Sequence, residues 1–393
     1  MQFADRVQFL DGNVFAEMDH AKRQAQLAGK EIIDLSLGAS DLPAPTPALQ
    51  TIAQSLHKPN CNEYVLFAGT REFRWAVAQW LDRKFGVTAD PETEILPLIG
   101  SQEGIAHLPL AILNPGDYAL LQDPGYPAHF GGVYLAGGQV YSMPLLPENH
   151  FFPDFSAIPP LVLAQARLMI LSYPHNPTSA LVPLHLLESA VQFCQRHHLV
   201  LMHDAPYIDL VFTGTPAPIM LQADRPKAVT IEFFTLSKSY HMGGFRIGFA
   251  VGNQAIIKAL RQVKSVIDFN QYGGILQGAI TALHSPPEFL QGTIDTLRHR
   301  RDVMVTALHQ IGWPVPTPTS TLYIWAKLPD LVKMDSITFC QELVAHTGVA
   351  LAPGRGFGKY GEGFVRIALV RSPDILQEAV GRMASFFQTL GSG

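Results

Sequence analysis

From about residue 46 to residue 270 the chain alternates two hydrophobic patterns. Short apolar runs predict strands over Ile95–Ile99, Tyr118–Gln122, Gln139–Met143, Leu168–Leu171, Leu199–His203, Val229–Phe234 and Ile247–Val251. Between several of them lie stretches whose apolar residues recur three and four apart. In Leu184–His197, for example, Leu186, Leu187, Ala190, Phe193 and Cys194 fall on one helical face. Strands alternating with amphipathic helices predict a largely parallel, doubly wound sheet. A run from Ala255 to Lys264 begins a long helix that leaves this region.

From about residue 285 the alternation stops. Helices are predicted over Phe289–Ile311, Ser336–Thr347 and Pro373–Leu390, an isolated strand over Thr321–Ala326, and another strand over Phe364–Leu369. This pattern predicts an α+β unit that packs with the first forty or so residues. The fold class is therefore α/β, with a large doubly wound domain over 46–280 and a smaller α+β domain from 1–45 and 281–393.

Composition narrows the classes of function. Forty-seven per cent hydrophobic and 16% charged residues describe a globular protein with a sizeable core rather than a disordered chain. The net charge of −5, without a basic block, argues against a nucleic-acid partner. No apolar stretch approaches the roughly 18 residues a membrane span needs. Met1-Gln2-Phe3-Ala4-Asp5-Arg6 lacks a basic-then-apolar leader pattern, so a cytoplasmic location is expected. Cys61, Cys194 and Cys340 are scattered and read as packing residues, and no metal-ligand spacing appears.

The segment Phe234–Phe249 carries the densest chemistry. Lys238 sits just beyond the Val229–Phe234 run, and Arg246 follows eight residues later among glycines. A lysine at the mouth of an α/β sheet can form a Schiff base with an aldehyde, and Ser237 with Arg246 can hold a phosphate on the same ligand. That pairing suits pyridoxal 5′-phosphate. Gly100, Ser101 and Gln102 open a helix after Ile95–Ile99 and offer a second anion wall; alone, they would read as an ordinary helix cap.

Asp204 follows a strand and suits a protonated ring nitrogen, although it would equally cap a turn. Asn176, in Asn176-Pro177-Thr178, and Tyr207 can reach a phenolate oxygen; Asn-Pro is also a common turn. Tyr126 offers a ring face or a core aromatic. Arg366, in an otherwise apolar strand, suits a substrate carboxylate or an internal salt bridge. Gly38 allows close backbone approach or a plain turn, and Tyr64 is a phosphate ligand or a surface tyrosine. His203 and His241 read as structural or secondary.

Taken in order, Gly38, Tyr64, Gly100-Ser101-Gln102-Glu103, Pro124-Gly125-Tyr126-Pro127, Asn176-Pro177-Thr178, Asp204, Tyr207, Ser237-Lys238, Arg246 and Arg366 resemble the class I/II aminotransferases of pyridoxal-phosphate fold-type I, essentially end to end. The resemblance implies that Lys238 carries the cofactor and acts as the base of the proton shift. It implies that Asp204 binds the ring nitrogen, Asn176 and Tyr207 the phenolate, and Tyr126 the ring face. Ser101, Gln102, Ser237 and Arg246 would hold the phosphate, and Arg366, with Gly38 and Asn176, the substrate.

The resemblance further implies a homodimer with shared active sites, in which Tyr64 and the loop Asp268–Tyr272 reach the partner. The implied reaction is ping-pong transfer from an L-amino acid to a 2-oxo acid. LL-diaminopimelate with 2-oxoglutarate is the subfamily candidate, on the texture of Ile99–Leu110 and Asp123–Pro127.

Several positions depart from the family pattern. Ser179 stands for the usual Gly, Thr235 for a frequent Ser, and His241, Gly243 and Phe245 for Asn, Thr and Trp. Ser320-Thr321-Leu322 stands for Gly-Ala-Phe, and Asn13 where the LL-diaminopimelate enzymes carry a tyrosine. The alternative function is a C–S lyase or another eliminating enzyme on the same cofactor. A cofactor-sensing regulator would need a DNA-binding module, and residues 1–40 are too short for one.

Overall fold

The computed structural model describes residues 3–8 and 14–391. Asn13 lies outside the described residues.

Among the described residues the main sheet has seven strands: β1 (Ile95–Leu98), β2 (Tyr118–Asp123), β3 (Gln139–Pro144), β4 (Ala166–Ser172), β5 (Val200–Asp204), β6 (Thr230–Thr235) and β7 (Gly248–Gly252). Their spatial order is β1-β7-β6-β5-β4-β2-β3. Each predicted strand is present with its ends shifted by no more than two residues. β4 and β5 are covered on both faces, so almost every residue in them is buried. That is why they read as continuous apolar runs rather than alternations.

β7 alone runs antiparallel to both neighbours. The link from β6 to β7 contains no helix beyond the single turn Gly243–Phe245, and a short link without a crossover returns the chain antiparallel. As a result Lys238, after β6, and Arg246, before β7, stand at the same edge of the sheet. The carboxyl ends of β1, β2, β4 and β5 open on that edge too, where open α/β sheets bind ligands.

The strand expected to be isolated is paired. β8 (Tyr323–Lys327) and β9 (Ala352–Pro353) flank β10 (Phe364–Ala368) in an antiparallel sheet. A single apolar run shows its period but not its partner, so this pairing was not readable locally. Ile33–Asp34 pairs in parallel with Val349–Ala350, which joins the amino-terminal segment to the carboxy-terminal elements. A core that includes Met18, Leu35, Met304, Ile324, Phe339 and Met383 forms around them.

The helix ends follow their local chemistry. The Asn253 side chain accepts from the N–H groups of Ala255 and Ile256 at the start of Gln254–Ile267, and Asp335 does the same for Ser336–Thr347. The three cysteines are buried and unbonded. Among the described residues no helix is long and apolar enough to cross a membrane.

Candidate active site

The carboxyl edge of the main sheet and the amino-terminal segment enclose a cavity of about 990 Å³. Lys238, Asp204, Tyr207, Ser101, Gln102, Tyr126, Asn176, Ser237, Arg246, Gly38 and Arg366 all line it. Two of the residues expected at the site do not. Gly100 stands behind the wall, at φ 73°, where an added Cβ would lie 2.6 Å from an Arg246 guanidinium nitrogen. Its absent side chain makes room for Arg246. Tyr64 is 82% exposed and outside the cavity of its own chain.

Lys238 Nζ donates to the Gly38 carbonyl at 2.5 Å and lies 5.8 Å from the centre of the Tyr207 ring. The amine therefore has a hydrogen-bond partner yet faces the cavity.

Asp204 is the last residue of β5 rather than the residue after it. One carboxylate oxygen lies 3.1 Å from His129 Nε2, and the other is buried without a hydrogen-bond partner. Leaving a buried polar atom unpaired costs about 1–3 kcal/mol, and more for a charged one. A ring N–H donated from a ligand would satisfy it.

An anion cup forms where β1, β6 and β7 meet. The helix Ser101–Ile112 starts there, with the Ser101 backbone N–H at its amino end. Thr235 Oγ1 donates to Ser237 Oγ at 2.9 Å, and Arg246 is held at Nη1 by the Gly243 carbonyl at 3.0 Å. Beside this cup the Tyr126 hydroxyl donates to Gln102 Oε1 at 3.3 Å. Burial, with Asp204 adding to it, pushes the Tyr126 phenol up to about 12.

Arg366 is only 4% exposed and has no carboxylate in ion-pair distance among the described residues. The internal salt bridge is thus not formed. Its Nη1 donates to Asn176 Oδ1 at 2.8 Å and its Nη2 to the Ser36 carbonyl at 2.7 Å. The guanidinium carbon lies 4.1 Å from the Tyr323 ring centre and 4.6 Å from that of Phe357. Aromatic faces and neutral oxygens leave its charge uncompensated, as a receptor for a substrate carboxylate requires.

Tyr207 and Tyr323 share a hydrogen bond of 2.7 Å between their hydroxyls. Burial pushes both phenols up. For Tyr323 the charges of Arg366 and Lys238 outweigh it and hold the group below its ordinary value, while Tyr207 stays well above. A Cβ on Gly38 would collide with the Tyr323 hydroxyl. Gly38 is therefore a close-approach position rather than an ordinary turn.

Sequence reasoning missed His129, Tyr323 and the cavity-lining face of Thr235. His129 follows Tyr126 by three residues at the start of the helix Pro127–Leu135, a spacing that puts both on one face. Tyr323 gave no comparable signal, because its place depends on the β8–β10 pairing. His203 is structural: its Nδ1 lies 2.7 Å from Glu232, and its Nε2 accepts from the Tyr173 N–H.

The loop Asp268–Tyr272, expected to cross into a partner, makes several hydrogen bonds within its own chain. Gln271 donates to the carbonyls of Leu98 and Arg246, Asn270 to that of Val65, and Tyr272 to that of Ser55. Phe269 remains exposed, with its ring 5.3 Å from that of Tyr64. Elsewhere, Glu103, His107 and Asp268 cluster, but Lys264 Nζ sits 2.9 Å from Glu103 and 2.6 Å from Asp268. An ammonium group already supplies that cluster's positive charge.

Comparison with known proteins agrees with this geometry. Residues 30–383 match the family model for aminotransferase class I and II. The LL-diaminopimelate aminotransferase of Moorella thermoacetica is 39% identical, over 98% of this chain and 98% of its own length. That of Aquifex aeolicus is 39% identical over 97% and 98%. The structure of a probable N-succinyldiaminopimelate aminotransferase from Thermus thermophilus is 42% identical and covers 95% of this chain and 99% of its own, with a TM-score of 0.90. The chain belongs to the class I and II aminotransferases and is a transaminase of fold-type I.

Proposed function

We propose that the cavity holds pyridoxal 5′-phosphate and that the enzyme moves an amino group from LL-diaminopimelate to 2-oxoglutarate in two half-reactions. One observation carries this reading. A lysine amine, an unpartnered buried carboxylate oxygen and a buried guanidinium without a counter-ion all line one cavity.

When bound, the cofactor supplies an aldehyde carbon for imine formation and a pyridinium ring that stores an electron pair. Asp204, positioned by His129, keeps the ring nitrogen protonated. Asn176 and Tyr207 donate to the phenolate oxygen, and Tyr126 covers the ring face. Ser101, Gln102, Ser237 and Arg246 hold the phosphate in the cup. Arg366 binds the α-carboxylate and fixes which Cα bond points at Lys238. Lys238 Nζ, held near the cavity by its bond to the Gly38 carbonyl, would take up the Cα proton and later return it.

The donor assignment rests on the names of the relatives and on the shape of the cavity. Besides Arg366, the cavity is lined by Val14, Phe15, Tyr134 and Arg355. A donor with a long side chain and a second acidic end fits a cavity with a second arginine in its wall. Tyr64, Leu66, Val266, Ile267 and Phe269 are each exposed, and the Tyr64 and Phe269 rings lie 5.3 Å apart, which suits a homodimer in which Tyr64 completes the partner's cup. We assign the main sheet to a domain of 46–280 and the rest to 1–45 with 281–393, and expect a cytoplasmic enzyme.

The test is a half-reaction. Cofactor-loaded protein is mixed with single amino acids while the absorbance of the lysine-bound cofactor is followed, and keto acid and ammonia are then assayed. One equivalent of keto acid from LL-diaminopimelate, without ammonia, is the expected result. Continuous ammonia release would replace this reading with the eliminating lyase.

A further inference from the structure

The segment Ser36–Asp41 runs along the mouth of the cavity, and Leu37, Gly38, Ala39 and Ser40 line it. Ser36 is buried and Gly38 and Ser40 are half-buried, whereas Leu37 and Ala39 are exposed. Ser36, Gly38 and Ser40 are each fastened. Arg366 Nη2 holds the Ser36 carbonyl at 2.7 Å, Lys238 Nζ the Gly38 carbonyl at 2.5 Å, and His241 Nδ1 lies 2.7 Å from Ser40 Oγ. At the end of the strap Asp41 takes both Nη atoms of Arg300, at 2.7 and 2.8 Å.

His241 stands three residues after Lys238, on the same loop. Its φ of 55° lies in the left-handed region that few non-glycine residues adopt. The ring bridges the strap to the helix Pro287–Gln310, because its Nε2 lies 2.9 Å from Thr293 Oγ1. Thr293 spends its own hydroxyl proton on the Phe289 carbonyl at 3.3 Å. It therefore accepts from Nε2–H, which leaves Nδ1 to accept from the Ser40 hydroxyl. The Leu42 N–H completes the chain by donating to Ser40 Oγ at 3.3 Å. Burial, helped by Arg300 and opposed by Asp41, holds His241 down to about 4, so the ring is neutral, as this pattern of donors requires.

The three ties differ in one respect. The amine that holds Gly38 is also the amine that must bond to an aldehyde carbon. Once Nζ is so engaged it keeps at most one proton, and its tie to the Gly38 carbonyl is surrendered. The Ser40–His241 bond then remains as the hydrogen bond that joins the strap to the Lys238 loop.

We propose that His241 is a positioning residue: it keeps the strap Ser36–Asp41 in register over Lys238 while the lysine amine is engaged, and so preserves the Ser36–Arg366 carboxylate pocket. This rests on the cofactor reading above. It also gives a physical reason for a histidine where the family commonly carries Asn, since an imidazole spans from Ser40 to Thr293.

The test compares the parent with His241→Leu, Ser40→Ala and His241→Asn, each with and without pyridoxal 5′-phosphate. Amide hydrogen exchange is read over the peptide that contains residues 36–42, and kcat and KM are measured with the amino donor. In the loaded protein, His241→Leu and Ser40→Ala are each expected to speed exchange in the strap about fivefold, the worth of one hydrogen bond. KM should rise by a similar factor, with kcat within about twofold. Without the cofactor the Lys238–Gly38 tie persists and the exchange difference should shrink. His241→Asn should recover part of the loss.

Ser40→Ala breaks the tie from the other side, so a misfolded His241→Leu would not shield the idea. Loaded variants that exchange like the parent would overturn the positioning role. A parent that binds no pyridoxal 5′-phosphate would sink the cofactor reading and this role together.

Discussion

Asp204, in the cavity wall, meets His129, whose Nε2 lies 3.1 Å from one carboxylate oxygen, while the other oxygen has no partner among the described residues. Both residues are 3% exposed. The histidine orients the carboxylate and leaves its other oxygen free to accept a ring N–H. That division of labour separates the two residues experimentally. Asp204→Asn removes the charge that holds a ring proton and should lower kcat by about 100-fold or more. His129→Asn removes one positioning hydrogen bond and should cost about fivefold. Stopped-flow half-reaction rates distinguish them, and equal losses would contradict the roles assigned.

Arg366 and Arg355 are expected to read different ends of the donor. Arg366→Lys keeps the charge but loses the fork that spans Asn176 and the Ser36 carbonyl. It should raise KM about 10- to 100-fold for every amino donor alike. Arg355 is exposed and lines the same cavity. Arg355→Ala should raise KM about fivefold or more for LL-diaminopimelate but leave alanine unchanged. Steady-state kinetics with both donors reads the contrast, and an equal effect on the two would remove Arg355 from substrate recognition.

Acid should destabilise the fold through buried neutral histidines. Burial holds His175 down to about 3, with His129 adding to it, and burial likewise holds His241 down to about 4. In the unfolded chain both would titrate near 6.5. Below that value the unfolded state binds protons that the folded state refuses, so stability is full above about pH 6.5 and falls as pH drops. The loss continues to about pH 4 for His241 and about pH 3 for His175, at no more than about 1.4 kcal/mol per pH unit for each. Thermal melts from pH 8 to pH 4 should show it, and His175→Gln should flatten the slope. A Tm that stays level down to pH 4 would contradict this account.

The exposed apolar residues around Tyr64 and Phe269 should control assembly. Val266 is 84% exposed, three residues before Phe269, whose ring lies against Tyr64, so Val266→Glu disturbs little in its own chain and places a charge in the proposed interface. Sedimentation velocity should show the parent as a dimer and the variant shifted toward monomer. A parent that sediments as a monomer would remove the shared-site reading of Tyr64.

Much of this was legible in the chain because local pattern and global fold agree. β4 and β5 are covered on both faces, so they appear as apolar runs whatever their neighbours are. Lys238, Arg246, Asp204 and Asn176 could be gathered in advance, since each follows or precedes a strand whose end lies on the same sheet edge. What escaped depends on long-range pairing. Tyr323 reaches the site only because β8 aligns with β10, and Arg366 found Asn176 and Ser36 rather than an acid. His129 was hidden for another reason: its partner Asp204 lies 75 residues further along the chain, with no spacing to betray the pair.

The most direct test of the account is a single-turnover half-reaction of the cofactor-loaded enzyme with LL-diaminopimelate, run beside Lys238→Ala. The account predicts one equivalent of keto acid, pyridoxamine phosphate left on the protein, no ammonia, and a rate at least about 10³-fold lower in the variant. Ammonia released over many turnovers, or a Lys238→Ala variant as fast as the parent, would contradict it.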